Sequence, residues 1–402
     1  MATKPSLALI PSAYKASKVY SILPNNGDGD FTFSRGSEAT RINKDGLIET
    51  VLDNIPRLDY SDGGCPSLLL EPQRTNLFEN SSRVNEANTS NFAIGTGQTP
   101  TVLSENNLAP DGSLTACEWN FNVGSGVTTD DASLINKSYA TTSGVDYTLS
   151  VYIYAELDNT KIYIRAAGSI YSLRTLNAGW NKVEVTDTAT STSSSWLIGL
   201  RQAFSGGIIN SNITVKIWGL QVEEGSYVTS YIPTSGGAAT RDNDFISGAG
   251  NANLFNSLDG TFFVQMASFL NTQTNSNGIE LSDSSGQNRV TIQYDTTNNQ
   301  IRAEIKVANV TEALFFTSTY DVTNFNKIAV TYKYNEAKLY INGNLISTDT
   351  NVNIFAEDTL TEVRSTIAGI SSGAFNLQAK IKDLRVYDKA LTDAELIELT
   401  SN

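Results

Sequence analysis

Residues 145–154 alternate with a period of two: Val145, Tyr147, Leu149, Val151 and Ile153 fall on one side, and Thr148, Ser150, Tyr152 and Tyr154 on the other. An extended chain sends successive side chains to opposite faces, so this is the pattern of a half-buried strand and not of an amphipathic helix. The same period runs through residues 161–165, 180–185, 196–201, 213–222, 260–266, 289–294, 300–307, 327–332, 338–341 and 381–387. Gly, Asn, Asp, Ser and Pro clusters bound these runs, as turns between strands require. Strands that each bury one face must pack sheet against sheet, which predicts an all-β class of antiparallel β-sandwiches. One helix is expected near the end: Thr392 caps it, Glu395 is the capping-box partner, and Leu396 and Leu399 share a face.

At 402 residues the chain can form two or three domains with separate cores. The strand at 213–222 ends at Glu223-Glu224-Gly225-Ser226, and Pro233-Thr234-Ser235-Gly236-Gly237 follows as a connector. Three parts are therefore expected: a leader, 1–75, a first sandwich, 76–234, and a second, 235–402. Within the leader, 30–35 and 39–43 are strand-like and Lys44-Asp45-Gly46 turns the chain into 47–51. Beyond them Pro56, Pro66 and Pro72, with Gly63-Gly64 between, leave an unpaired tract expected to run over another surface. A neighbouring subunit or a particle would order it, the alternative being a disordered leader. Ala39-Thr40-Arg41 recurs as Ala239-Thr240-Arg241, a reused lead-in and not a solenoid repeat.

A net charge of −14 opposes binding to phosphate backbones and to anionic bilayers, so neither nucleic acid nor membrane insertion is expected. With no His and only Cys65 and Cys117, four-ligand zinc sites are out of reach; the cysteines are two free thiols or one disulfide, which spacing does not decide. The apolar run at 7–10 is too short for a signal-peptide core, so synthesis in a cytosol without signal-directed export is expected.

Several stretches resemble a known group. Residues 6–15, 29–37, 39–43 and 66–77, the last reading Pro-Ser-Leu-Leu-Leu-Glu-Pro-Gln-Arg-Thr-Asn-Leu, are similar to the shared leader of bacteriophage structural proteins. Residues 219–234 resemble the closing strand of carbohydrate-binding-module-like jelly rolls in phage fibre and spike proteins. Ile328-Ala-Val-Thr-Tyr, Leu339-Tyr-Ile-Asn-Gly and the stretch 382–396 resemble the concanavalin A-like, laminin-G-type jelly roll. The resemblance implies a virion appendage that anchors to other virion proteins through residues 1–75, forms a homotrimer, and displays sandwiches that bind host cell-surface polysaccharide. Two alternatives are a capsid decoration or assembly protein with protein-binding sandwiches, and a bacterial surface lectin.

Aromatic rings on a sheet face bind sugars by stacking, while amides and carboxylates take the hydroxyls. The candidates are Trp119, Tyr152, Tyr154, Tyr163 and Tyr171, whereas in the resembling modules Trp180 and, by similar logic, Trp218 are packing positions. Calcium is common in such modules, and Glu79, Asp111 and Glu223 are the acids near the matching ends of the first sandwich. No Asp-x-Asp-x-Asp-Gly loop accompanies them. The Glu-x-Asp-x-x-Glu strand of related glycoside hydrolases and the Gly-x-Ser-x-Gly elbow are both missing, so no enzymatic activity is expected. Glu280, Asp283 and Glu304 read as solvated strand-face charges.

Overall fold

The computed structural model describes residues 3–125, 130–168, 171–201, 211–367 and 376–401. The chain divides into two compact units, a middle unit of Ala39–Thr50 and Gln73–Arg241 and a terminal unit of Met1–Glu38, Val51–Pro72 and Asp242–Asn402. Both are antiparallel β-structures, as the alternation requires. The one helix among the described residues, Asp393–Thr400, carries the expected capping box, with the Thr392 side chain accepting from the Glu395 amide.

The middle unit has two five-stranded sheets. The first runs Ser90–Ile94, Ala132–Ala140, Ser193–Arg201, Thr160–Arg165, Ser172–Leu176; the second runs Gln98–Leu108, Leu114–Asn122, Asn212–Glu224, Asp146–Ala155, Gly179–Thr188. Leu149, Val151 and Ile153 enter one core with Trp119, Phe121, Ile162, Ile164, Trp196 and Ile198. Each aliphatic side chain sealed there contributes roughly 1.5–3 kcal/mol relative to exposure.

A register shift in the pairing of Asp146–Ala155 with Asn212–Glu224 falls between Ser150 and Tyr152, opposite Gly219. Gly219 has φ +66°, and a Cβ there would lie 3.0 Å from the Tyr152 ring. The bulge adds a residue, so Ile217 and Leu220 both face the core while Trp218 turns to the outer face. There the hairpin of Ala39–Ile42 and Ile48–Val51 contributes Ile42 and Ile48 to a second cluster with Ala109, Ala116, Trp218 and Tyr231. Trp218 is buried as expected, but outside the sheet and not between the sheets.

In the terminal unit an eight-stranded sheet packs on a five-stranded one. The longer sheet runs Asn344–Asp349, Glu336–Ile341, Asn326–Lys333, Asp259–Ser268, Ala379–Tyr387, Ser67–Leu70, Leu58–Asp59, with Leu7–Leu9 also pairing Ala379–Tyr387. The shorter one runs Val310–Thr317, Ile301–Val307, Arg289–Tyr294, Asn277–Ser282, Glu362–Arg364. Asn342 (φ +48°) and Gly343 (φ +81°) make the tight turn that Asn-Gly predicts.

The leader departs from its expectation. Leu7, Leu9, Leu68 and Leu70 are buried in the same core as Phe262, Val264, Val290 and Leu384, so the tract with three prolines is paired and buried within its own chain at Leu58–Asp59 and Ser67–Leu70, with residues 61–65 exposed between them. Its charged residues explain the attachment. Arg57 is bound to Glu71 at 2.6 Å and to Asp244, Arg35 meets Asp244 at 3.1 Å, and the Glu71 amide donates to Asp244 at 2.9 Å. All four side chains are buried. Burial alone would lower the Arg57 pKa, but the Asp244 and Glu71 carboxylates hold it above its ordinary value. The two Ala-Thr-Arg copies form short strands at Ala39–Ile42 and Ala239–Arg241, each pairing with a different strand.

Candidate glycan-binding face

The outer face of the middle unit's second sheet carries the most suitable sugar-binding chemistry. Tyr154 stands opposite Trp180 on one neighbouring strand and opposite Lys216 on the other. The Tyr154 and Trp180 rings meet edge to face with centroids 5.6 Å apart, and the Lys216 ammonium lies 4.5 Å from the Tyr154 centroid. All three are half-buried. One strand further, Glu118 stands opposite Lys216 and Asn120 opposite Thr214. The Asn120 amide donates to Asn212 at 2.7 Å and to Thr214 at 3.2 Å. Two rings, a cation and a row of amide and hydroxyl groups thus share one sheet face, with Trp180 also packed against the cluster that contains Trp218. Rings of this kind offer an apolar body to sugar C–H groups, and the polar row offers donors and acceptors.

The sequence candidates fare differently. Tyr154 lies at the centre of this face. Tyr152 is on the same side, but its ring packs against Trp218 at 5.7 Å in the cluster capped by the hairpin. Trp119 is fully buried, its indole N–H donating to the Val84 carbonyl at 2.8 Å, and Tyr163 is 1% exposed. Both are buried members of the middle unit's core cluster, so neither reaches a ligand. Tyr171 is held between the Arg165 and Arg201 guanidinium groups, 4.9 and 5.1 Å from its centroid, and its hydroxyl accepts from Arg201. It packs against Ala132, Leu134 and Leu197 of the other sheet, away from Tyr154. Trp180, expected to be a packing residue, is half-buried: it packs against the cluster that contains Trp218 and Tyr231, and its ring also meets Tyr154.

The three acids are not brought together. Glu79 pairs with Lys137 at 2.8 Å, and Asp111 accepts from the Ser113 amide in a turn. Glu223 is fully buried and accepts from the Thr229 amide at 3.1 Å and from the Thr229 hydroxyl. Burial raises its pKa, an effect that the Thr229 bonds and Arg241 partly offset. Among the described residues no group of three His, Cys, Asp or Glu side chains could hold a metal ion. The calcium expectation is therefore not supported by the placement of these acids. Cys65 is exposed and Cys117 buried, and both are free.

In the terminal unit Glu280 and Glu304 are not solvated charges. Glu304 is bound by Arg289 at 3.0 Å, Arg302 at 3.3 Å and Thr311 at 2.9 Å, while Glu280 accepts from Ser282 at 2.8 Å and lies 3.9 Å from Arg364. Burial would raise the Glu304 pKa, but these donors bring it below the ordinary value, so the group is ionised and engaged.

Residues 260–397 match the family model of the concanavalin A-like lectin/glucanases superfamily. No curated protein sequence matches the chain. Among solved structures, the CBM40 module of the Ruminococcus gnavus IT-sialidase bound to α2,3 sialyllactose is 18% identical, with TM-score 0.33, over 39% of this chain and 88% of that one. Domain 4 of AbnA, a GH43 extracellular arabinanase from Geobacillus stearothermophilus, in complex with arabinotriose, is 14% identical, with TM-score 0.32, over 44% and 82%. The heptameric SAP-like pentraxin of Limulus polyphemus is 16% identical, with TM-score 0.30, over 36% and 72%.

Proposed function

We propose that this chain is a non-catalytic, glycan-binding appendage protein of a bacteriophage virion. In this reading the Tyr154–Trp180–Lys216 face engages host cell-surface polysaccharide, and residues 1–75 contact other virion proteins in a homotrimer. The observation that carries the glycan part is the pairing of two half-buried rings beside Lys216, Glu118 and Asn120 on one sheet face. The match of residues 260–397 to the concanavalin A-like superfamily supports a lectin-like role for the terminal unit. The phage part rests on the resemblance of the leader and of residues 219–234.

Retention of the full chain on host cells, compared with its Trp180→Ala variant, tests the binding role. Truncating one stacking ring is expected to weaken retention roughly tenfold, the equivalent of about 1.4 kcal/mol. Unchanged retention would refute the assignment of this face. Detection of the protein in purified virions, with its stoichiometry, tests the appendage role separately.

An assembly protein with protein-binding sandwiches is the second reading. It is favoured by Leu108 and Leu114, which pair across a hairpin and are 62% and 61% exposed, more apolar surface than sugar binding needs. Retention of one virion component without any glycan binding would select it.

A further inference from the structure

Two cavities adjoin along residues 73–79 of the middle unit. The first, about 240 Å³, is walled by Phe78, Glu79, Lys137, Tyr139 and Trp196. The second, about 360 Å³, is walled by Gln73, Arg74, Thr75, Tyr147 and Glu224. Leu77 and Ala140 line both, which makes them two lobes of one cleft. None of these residues belongs to the Tyr154–Trp180 face.

Each lobe joins an apolar wall to one cation and one carboxylate. In the first, Phe78 and Trp196 meet edge to face at 5.4 Å, and Lys137 holds Glu79 at 2.8 Å with both side chains partly exposed. A pair so exposed contributes little stability, so either partner can turn to a ligand hydroxyl at small cost. In the second lobe the Arg74 guanidinium lies 5.1 Å from the Tyr227 ring centroid. Its Nε is shielded from solvent and has no acceptor among the described residues. The Tyr147 hydroxyl, 3.5 Å from the Glu224 carboxylate, accepts from the Thr142 amide.

The cleft is thus electroneutral along its length, rich in donors and acceptors, and elongated. A polyanionic chain would meet Glu79 and Glu224, and a purely apolar one would strand Arg74 and Lys137. A neutral polyhydroxylated chain satisfies both kinds of group. We propose that this cleft is a second saccharide site, taking a neutral oligosaccharide that spans both lobes. The proposal rests on the glycan-binding reading above and adds to it: two separate sites on one chain raise avidity for a surface polymer without any new contact.

Isothermal titration of the full chain with a panel of free neutral tri- to pentasaccharides, paired with hydrogen-exchange mass spectrometry, tests it. Ala140 is an exposed strand-end residue lining both lobes, so Ala140→Trp fills the cleft without entering the core. Lys137→Ala, which removes a donor without adding bulk, is the second variant. A saccharide is expected to titrate at two sites per chain and to protect residues 73–79. Ala140→Trp should abolish one site and that protection, and Lys137→Ala should weaken it roughly tenfold, the loss of a charge-assisted hydrogen bond. Binding that is unchanged by Ala140→Trp but lost in Trp180→Ala would overturn the cleft proposal and leave the sheet-face reading standing. The reverse would uphold the cleft and overturn the sheet face. A panel with no binder at millimolar concentration would overturn the cleft proposal.

Discussion

Replacement of Asp244 by Ala would test how the N-terminal segment is held. Asp244 is the shared acceptor of the buried clamp, taking bonds from Arg35, Arg57 and the Glu71 amide. Without it, Arg57 keeps Glu71, while Arg35 keeps the carbonyls of Ser37, Leu52 and Ile55. Arg35 then loses its ion pair with Asp244, and the buried Glu71 amide loses its acceptor. Removing one partner of a buried ion pair costs about 3–5 kcal/mol, and an orphaned buried donor about 1–3 kcal/mol, contributions that are not additive within one network. A loss of about 4 kcal/mol is expected. With a urea dependence of about 2 kcal/mol/M, the midpoint falls by roughly 2 M. Far-UV circular dichroism reads both units, whereas tryptophan emission reads the middle unit, because Trp119, Trp180, Trp196 and Trp218 all lie within it. A drop below about 1 kcal/mol in the dichroism-monitored transition would refute the clamp's role, since surface substitutions stay within about 0.5 kcal/mol.

Four further outcomes are expected. Trp119→Ala and Tyr163→Ala should each cost about 3–5 kcal/mol of stability by leaving a core cavity, and folded protein that loses only saccharide binding would contradict their placement. Native protein should expose one reactive thiol, Cys65, to a thiol reagent and two after denaturation, since burial pushes the Cys117 pKa up to about 12; two thiols reacting at once in native protein would contradict it. Glu395, held at about 2 by bonds from Thr3, Thr392 and Lys389, is depressed below its ordinary 4.5. Its contribution is therefore present above that ordinary value and lost as pH falls towards 2, a slope that Glu395→Gln should flatten in acid titrations of stability. Glu223 is shifted the other way by burial, so its contribution is present at low pH and declines as pH rises through its folded pKa. Glu223→Gln should remove that decline in the same titration, and an unchanged profile would refute it.

Period-two alternation located many of the long strands, because one buried face per sheet forces it: residues 146–154, 289–294 and 327–332 all fall in strands, and Leu149, Val151 and Ile153 face the core as expected. The long strands Gln98–Leu108, Leu114–Asn122, Ala132–Ala140 and Val310–Thr317 were not read from it. The capping box and the Asn342-Gly343 turn were equally readable, being local chemistry. What alternation does not carry is partner choice. The tract with Pro56, Pro66 and Pro72 reads as unpaired because Ser67–Leu70 is only four residues long and its partner, Ala379–Tyr387, lies more than 300 positions away. Trp119 and Tyr163 were indistinguishable from Tyr154 by residue type, and only the strand face each occupies separates them. That Tyr154 and Trp180 stand opposite each other is likewise a register that no local pattern specifies.

A crystal structure of the full chain with an oligosaccharide released from its host's surface polymer would test the glycan reading most directly. The account places intact sugar rings against Tyr154 and Trp180, with hydroxyls within hydrogen-bond reach of Lys216, Glu118 or Asn120. Sugar bound solely in the terminal unit, or recovered as cleaved product beside a carboxylate, would contradict it.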